Sequence, residues 1–258
     1  MKALDSAAGT FYWDLKVKPS GCLVRRLSFV NMKKTIRFLS WLGVCGALTL
    51  FSTPPAWGQR PGPYLKFDLG GNLTQDTDLE EFFGENVSGA KVKFDPGFRA
   101  GMVIGYQLTD WFGAEFETGG MENRISSITG ADFVHDAYFG NVPLLVNARL
   151  QLPNRSRLTP YIGAGAGGAI SFIDVDEVHI GNTFFSGSDG AAVFAWQAFG
   201  GLRFALNDSM GLSVEYHYFN AQSPSWEAED IHGSVGSDTL RFGQTHTHVI
   251  SLAFDFHF

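Results

Sequence analysis

His246 and His248 stand two residues apart near the C-terminal end of a 258-residue chain. On an extended backbone that spacing puts both imidazoles on one face, where their ring nitrogens could hold a metal ion. No third ligand accompanies them, so a polar rim at the edge of a sheet is the expected role. Gly163-Ala164-Gly165-Ala166-Gly167-Gly168 fits G-x-G-x-x-G. That chemistry needs a strand before the glycines and a helix N-terminus after them to receive a pyrophosphate. No helical pattern follows, and the small residues read instead as room for bulky neighbours on a strand. A lipid A-modifying Ser/His hydrolase is the third and least favoured reading, because Val249 and Ile250 separate His248 from Ser251 and catalysis needs nucleophile, base and orienter in mutual reach. The expectation is a non-enzyme with no catalytic residues and no cofactor.

Carboxylates form a second group. Asp76, Asp78, Glu80, Glu81 and Glu85 lie together, as do Asp174, Asp176 and Glu177, and then Glu227, Glu229 and Asp230. Hard oxygen ligands suit Ca²⁺ or Mg²⁺, which makes Asp174 and Asp176 metal candidates beside the two histidines. EF-hand spacing is missing, so these stretches read as solvated, mutually repelling surface, with a divalent cation or an extracellular ligand as the alternative. The third group is Lys66, Asp68, Arg99, Glu115, Glu117, Arg149, Arg203, Glu215 and Asp255. Each sits inside an otherwise apolar or small-residue segment. Four cations against five carboxylates are nearly balanced, and charges held in a narrow space must pair or be solvated. An ion-pair core is expected, with a gated conduction path as the lesser reading.

The elements that would position these groups are strands. Past Gln59 no stretch repeats apolar residues at helical spacing, whereas eight segments alternate apolar with small or polar residues. They run approximately 63–73, 98–107, 112–120, 140–151, 160–171, 192–206, 210–220 and 246–258. The gaps between them are 24, 4, 19, 8, 20, 3 and 25 residues, alternately long and short. Tight turns at one end and long loops at the other are what a transmembrane barrel uses. In the last strand Ile250, Leu252, Phe254, Phe256 and Phe258 share one face, and Asp255 and His257 lie on the other. Eight strands enclose only enough space for side chains, so bulky apolar rows must point outward and the nine charges inward. The expected fold is all-β, an eight-stranded antiparallel up-and-down transmembrane barrel. Tyr64, Tyr106, Trp111, Phe112, Tyr161 and Phe258 are expected to form an interfacial girdle near the short-turn end.

Composition agrees. Only 17% of residues are charged, against about 25% in ordinary soluble domains. Residues 1–58 hold eight Lys/Arg and two Asp/Glu, whereas 59–258 hold eleven and twenty-four. So acidic a body argues against a nucleic-acid partner. An apolar run within 38–51 follows Lys33, Lys34 and Arg37, too short to span a bilayer but suited to a secretory signal. Ala56 and Gly58 are the small residues of a cleavage site before Gln59. Residues 32–58 therefore read as a signal peptide, 1–31 as an over-extended start ahead of Met32, and 59–258 as the barrel domain. Cys22 and Cys45 both fall in the leader, which leaves the mature chain without thiols. Cys45 loosely fits a lipobox, but the apolar run continues past it to Phe51, so the signal core is the better reading.

These features together resemble the small eight-stranded outer-membrane β-barrels of Gram-negative bacteria, of the OmpA, OmpX and opacity-protein type. The resemblance covers 63–258 and rests on the signal, the alternating gaps, Pro160-Tyr161-Ile162-Gly163-Ala164-Gly165 and the terminal Phe258. It implies residence in the outer membrane with both mature termini periplasmic, contact with outer-membrane lipid and lipopolysaccharide, and a monomer. It also implies that Phe254, Phe256 and Phe258 are read by the barrel-assembly machinery; the periplasmic peptidoglycan-binding domain of longer members is not expected here, where the chain stops at Phe258. The function expected is structural or surface-interacting, with a narrow OmpW-like channel for small or apolar solutes as the alternative.

Overall fold

The computed structural model describes residues 61–82, 85–131, 133–154, 156–180, 183–227 and 239–258. The expected signal peptide, with Gly58 and Gln59 at its cleavage site, and the expected start at Met32 lie outside them. Thirteen strands follow one another among the described residues: β1 Gly62–Thr74, β2 Thr77–Phe82, β3 Glu85–Asn86, β4 Lys91–Phe94, β5 Gly97–Gln107, β6 Phe112–Ile128, β7 Phe133–Gln151, β8 Leu158–Ile180, β9 Thr183–Ala205, β10 Met210–Ala221, β11 Ser225–Glu227, β12 Thr239–Phe242 and β13 Thr245–His257.

Eight of them pair in a circuit. Antiparallel ladders join β1 to β5, β5 to β6, β6 to β7, β7 to β8, β8 to β9, β9 to β10, β10 to β13, and β13 back to β1. Every ring strand thus has a neighbour on both edges along part of its length, which removes the unpaired edges that an open sheet would present. Outward positions stay exposed and apolar, as at Leu69 (60%), Val146 (65%), Ile162 (63%) and Ile250 (67%). Each of the eight predicted segments falls on one ring strand, although β6, β7, β8 and β9 run well beyond the predicted bounds.

Two of the four long loops are not loops. Most of the stretches 121–139 and 172–191 continues β6, β7, β8 and β9, with a turn at 129–130 between the first two. Their alternation persists with its polarity reversed. Ile125, Phe139, Ile173 and Val175 are buried, while Glu122, Arg124, Asp174 and Asp176 are exposed on the opposite face. A sheet that leaves an apolar medium for water needs this reversal, and a search for outward apolar rows ends where it begins. The other two long loops are also partly ordered as sheet: β12 pairs β2 and β11, β2 pairs β4, and β4 pairs β6.

The glycine run in β8 has the structural role expected of it. A Cβ on Gly163 would overlap the Phe199 ring, and one on Gly165 the Asn147 amide. Inward glycines therefore make the room that large inward side chains of neighbouring strands occupy.

Candidate functional site

Pleat parity delivers all nine predicted charges to the interior, none more than 4% exposed. Nearest the short-turn end, Arg203 donates to Asp255 from Nε at 3.0 Å and Nη2 at 2.6 Å, and His257 Nε2 lies 3.2 Å from the same carboxylate. Above it, the Tyr64 hydroxyl donates to Glu115 at 2.6 Å, and the Arg149 guanidinium stands 4.1 Å from the centre of the Tyr161 ring. Lys66 donates to Glu215 at 2.8 Å and lies 4.0 Å from Glu115, while the Tyr161 hydroxyl donates to the same Glu215 oxygen.

A second set surrounds Glu117. Arg99 bridges Asp68 at 2.7 Å and Glu117 at 2.5 Å, and Glu117 also accepts from Asn147 and Gln197. His217 joins the sets, with Nε2 at 3.0 Å from Glu215 and Nδ1 at 3.3 Å from the Gln197 carbonyl oxygen. Each carboxylate thus meets a cation or several N–H and O–H donors, which is the condition for holding charge away from water.

Tyr64 and Tyr161 correct the expected girdle. They are 1% and 3% exposed and belong to this interior network, because Tyr64 shares the parity of Lys66 and Asp68, and Tyr161 that of Gly163. Tyr106 and Trp111 face outward as expected, at 51% and 54%, and Phe258 at 82%. Phe254 and Phe256 are half-buried on the outer face, their rings edge to face at 4.6 Å. His217, Asn147 and Gln197 were not singled out by sequence; their inward parity was the available signal.

Toward the long-loop end the interior turns apolar. Met121, Leu145, Ala169, Ala195 and Phe219 form one buried cluster. Above it Leu79, Val92, Ile125, Phe139, Trp226 and Phe242 anchor a larger one, which closes the inward faces of β6, β7 and β8 against β2, β4, β11 and β12. Phe139 lies 6.2 Å from Trp226 and 6.0 Å from Phe242, centroid to centroid, and the Trp226 indole N–H donates to the Ser171 carbonyl at 3.0 Å. Nothing in the sequence reading anticipated this tier.

The metal candidates do not converge. Asp174 and Asp176 are exposed on β8, and no cluster of three potential ligands occurs among the described residues. His246 and His248 face outward, where Nδ1 of His246 and Nε2 of His248 each receive an amide nitrogen, from Asn220 at 2.9 Å and Gln75 at 2.8 Å. A lone pair engaged that way is withheld from a metal. Of the loop acids, Asp78 pairs with Lys91 at 3.7 Å, Asp76 and Glu80 are exposed, and Glu81 is half-buried. Glu229 and Asp230 fall outside the described residues, as do the side chains of Glu85, Glu177 and Glu227.

Comparison with known proteins follows the fold. The family model of the outer membrane protein beta-barrel domain matches residues 43–258. Among solved structures, the outer membrane protein OprG of Pseudomonas aeruginosa aligns at a TM-score of 0.52 and 16% identity, covering 78% of this chain and 99% of its own. Neisserial surface protein A aligns at 0.45 and 13%, covering 76% and 97%. The attachment invasion locus protein Ail of Yersinia pestis aligns at 0.39 and 11%, covering 76% and 99%. No curated protein matches the chain by sequence.

Proposed function

The chain belongs to the outer membrane protein beta-barrel domain family, and from that premise we propose that it is a closed, non-enzymatic barrel that contributes to envelope structure and holds a folded tier at the cell surface. One observation carries this reading: the polar interior is occupied by mutually bonded side chains, and the larger apolar cluster stands above it. In this reading the short turns and both mature termini are periplasmic, and the tier is extracellular. Outer-membrane lipid and lipopolysaccharide surround the outward apolar rows, the barrel is a monomer, and Phe254, Phe256 and Phe258 form the strand end read by the assembly machinery. The acidic face at Asp174 and Asp176 is the part offered to an extracellular ligand or divalent cation. Swelling of proteoliposomes in a small sugar tests closure: vesicles carrying the barrel should swell no faster than empty ones, and fast swelling would overturn the reading.

A second reading, passage of an apolar solute, is favoured by one feature of the ring. The β6–β7 ladder runs to Thr118 opposite Leu144 and resumes at Met121 opposite Asn141, skipping Gly119, Gly120, Val142 and Pro143. Proline has no N–H to give to a ladder. In the lower apolar cluster Met121 directly follows Gly120, and Leu145 lies two residues after Pro143. Uptake of a radiolabelled hydrocarbon by cells expressing the protein, lost in Pro143→Val, would favour passage; equal uptake with and without the protein would remove it.

A further inference from the structure

Where the outward apolar band ends at the long-loop side, β10, β13 and the neighbouring Gln75 and Gln244 carry a connected set of uncharged polar side chains. Gln244 donates from Nε2 to Asn220 Oδ1 at 2.8 Å. That bond orients the Asn220 amide, itself 1% exposed, so that its nitrogen donates to His246 Nδ1 at 2.9 Å. The Tyr218 hydroxyl reaches the same nitrogen at 2.7 Å. A ring nitrogen that accepts carries no proton, so His246 holds its hydrogen on Nε2 and is a donor there. His248 is arranged the other way. Its Nε2 accepts from the Gln75 amide at 2.8 Å, so Nδ1–H donates to the Tyr216 hydroxyl at 2.7 Å and leaves the Tyr216 hydrogen for another acceptor.

Flat rings complete the surface. Tyr218 stacks on His246 at 5.9 Å, and Trp196 tilts against Tyr218 at 5.7 Å, itself 38% exposed. Beside them Gln222, Ser223 and Gln244 line an open pocket of about 340 Å³. None of these described side chains is an Arg, Lys, Asp or Glu, so they address the sugar rings of a head group and leave any phosphate on it to water. Amide, hydroxyl and imidazole groups beside aromatic planes match a sugar ring, with hydroxyls to exchange hydrogen bonds and a C–H face to lay on an indole or phenol.

We propose that this surface binds the saccharide head of an outer-leaflet glycolipid. The source is fixed by what lies next to it: Leu73, paired with His248, is 57% exposed, and Ile250, on the same face two residues along, is 67% exposed. Acyl chains attached to the sugar would run along these residues. The inference rests on the outer-membrane reading above.

The experiment uses the protein refolded into phosphatidylcholine vesicles containing lipid A, or phosphatidylglycerol in its place. Retained lipid is counted by native mass spectrometry after extraction, and the heat-modifiable band on gels reports the folded barrel. A protein that never gives that band in either vesicle overturns the barrel reading and this proposal with it. With the band present, lipid A should be retained in preference to phosphatidylglycerol. Retention should fall about tenfold in Gln244→Leu and in His246→Phe, the loss expected when one or two hydrogen bonds go. Equal retention of the two lipids, unchanged retention in both variants, or capture of soluble chitin disaccharide without capture of lipid A would overturn the proposal.

Discussion

The Lys66 ammonium and the Glu215 carboxylate, 149 residues apart in sequence, meet at 2.8 Å inside the barrel. Lys66 also stands 4.0 Å from Glu115, so one cation serves two carboxylates whose own strands do not touch each other in the ring. Lys66→Met should cost about 3 kcal/mol, because it takes the shared ammonium away from two buried carboxylates and leaves Glu215 to Tyr161 and His217. Adding Glu215→Gln to it should restore part of that loss. Urea unfolding of the refolded protein, read as a double-mutant cycle, measures both; strict additivity would show that the pair does not interact.

Glycines in the ring separate by direction. A Cβ at Gly163 would overlap Phe199, whereas one at Gly168 has the Val193 carbonyl oxygen as nearest neighbour, at an ordinary 3.7 Å. Gly163→Val should lower the temperature at which the folded gel band is lost, by an amount in keeping with about 1–3 kcal/mol of overpacking. Gly168→Ala should leave it unchanged.

Removing the ring at the centre of the apolar tier should affect the tier and spare the ring strands. Phe139→Ala deletes contacts to Phe94, Trp226 and Phe242 and should cost about 3–5 kcal/mol locally. Trypsin added to intact cells should then cut near Lys91, Lys93 and Arg241 faster than in the parent. The heat-modifiable band should remain.

Orientation is checked by cysteine labelling, since the only two cysteines of the chain, Cys22 and Cys45, both precede the barrel strands. An impermeant maleimide should label Ser225→Cys on intact cells and leave Ser209→Cys unlabelled until the outer membrane is opened. The reverse pattern would invert the topology.

The ring was legible because lipid-facing rows impose period 2 with a constant polarity, as along Ile250, Leu252 and Phe254. Parity then placed Lys66, Glu115 and Asp255 inside without any knowledge of their partners. The partners were not legible: Tyr64 to Glu115 and Gln197 to Glu117 depend on barrel closure and register, which bring together side chains 51 and 80 positions apart. Tyr64 and Tyr161 went to the wrong place because an aromatic near a strand end suggests a girdle, although parity already assigned them inward. The tier was missed because Ile173 and Val175 keep the alternation while exchanging which face is apolar. His246 and His248 share one face by period alone, but their hydrogen-bond roles depend on Asn220 and Gln75, which only the folded register supplies.

Single-channel recording in a planar bilayer tests the central claim most directly. The purified, refolded barrel should insert and stay electrically silent across a wide range of voltage and salt, because its interior is filled by the Arg99, Glu117, Lys66 and Glu215 networks beneath the apolar tier. Discrete, reproducible conductance steps from the unmodified protein would contradict it.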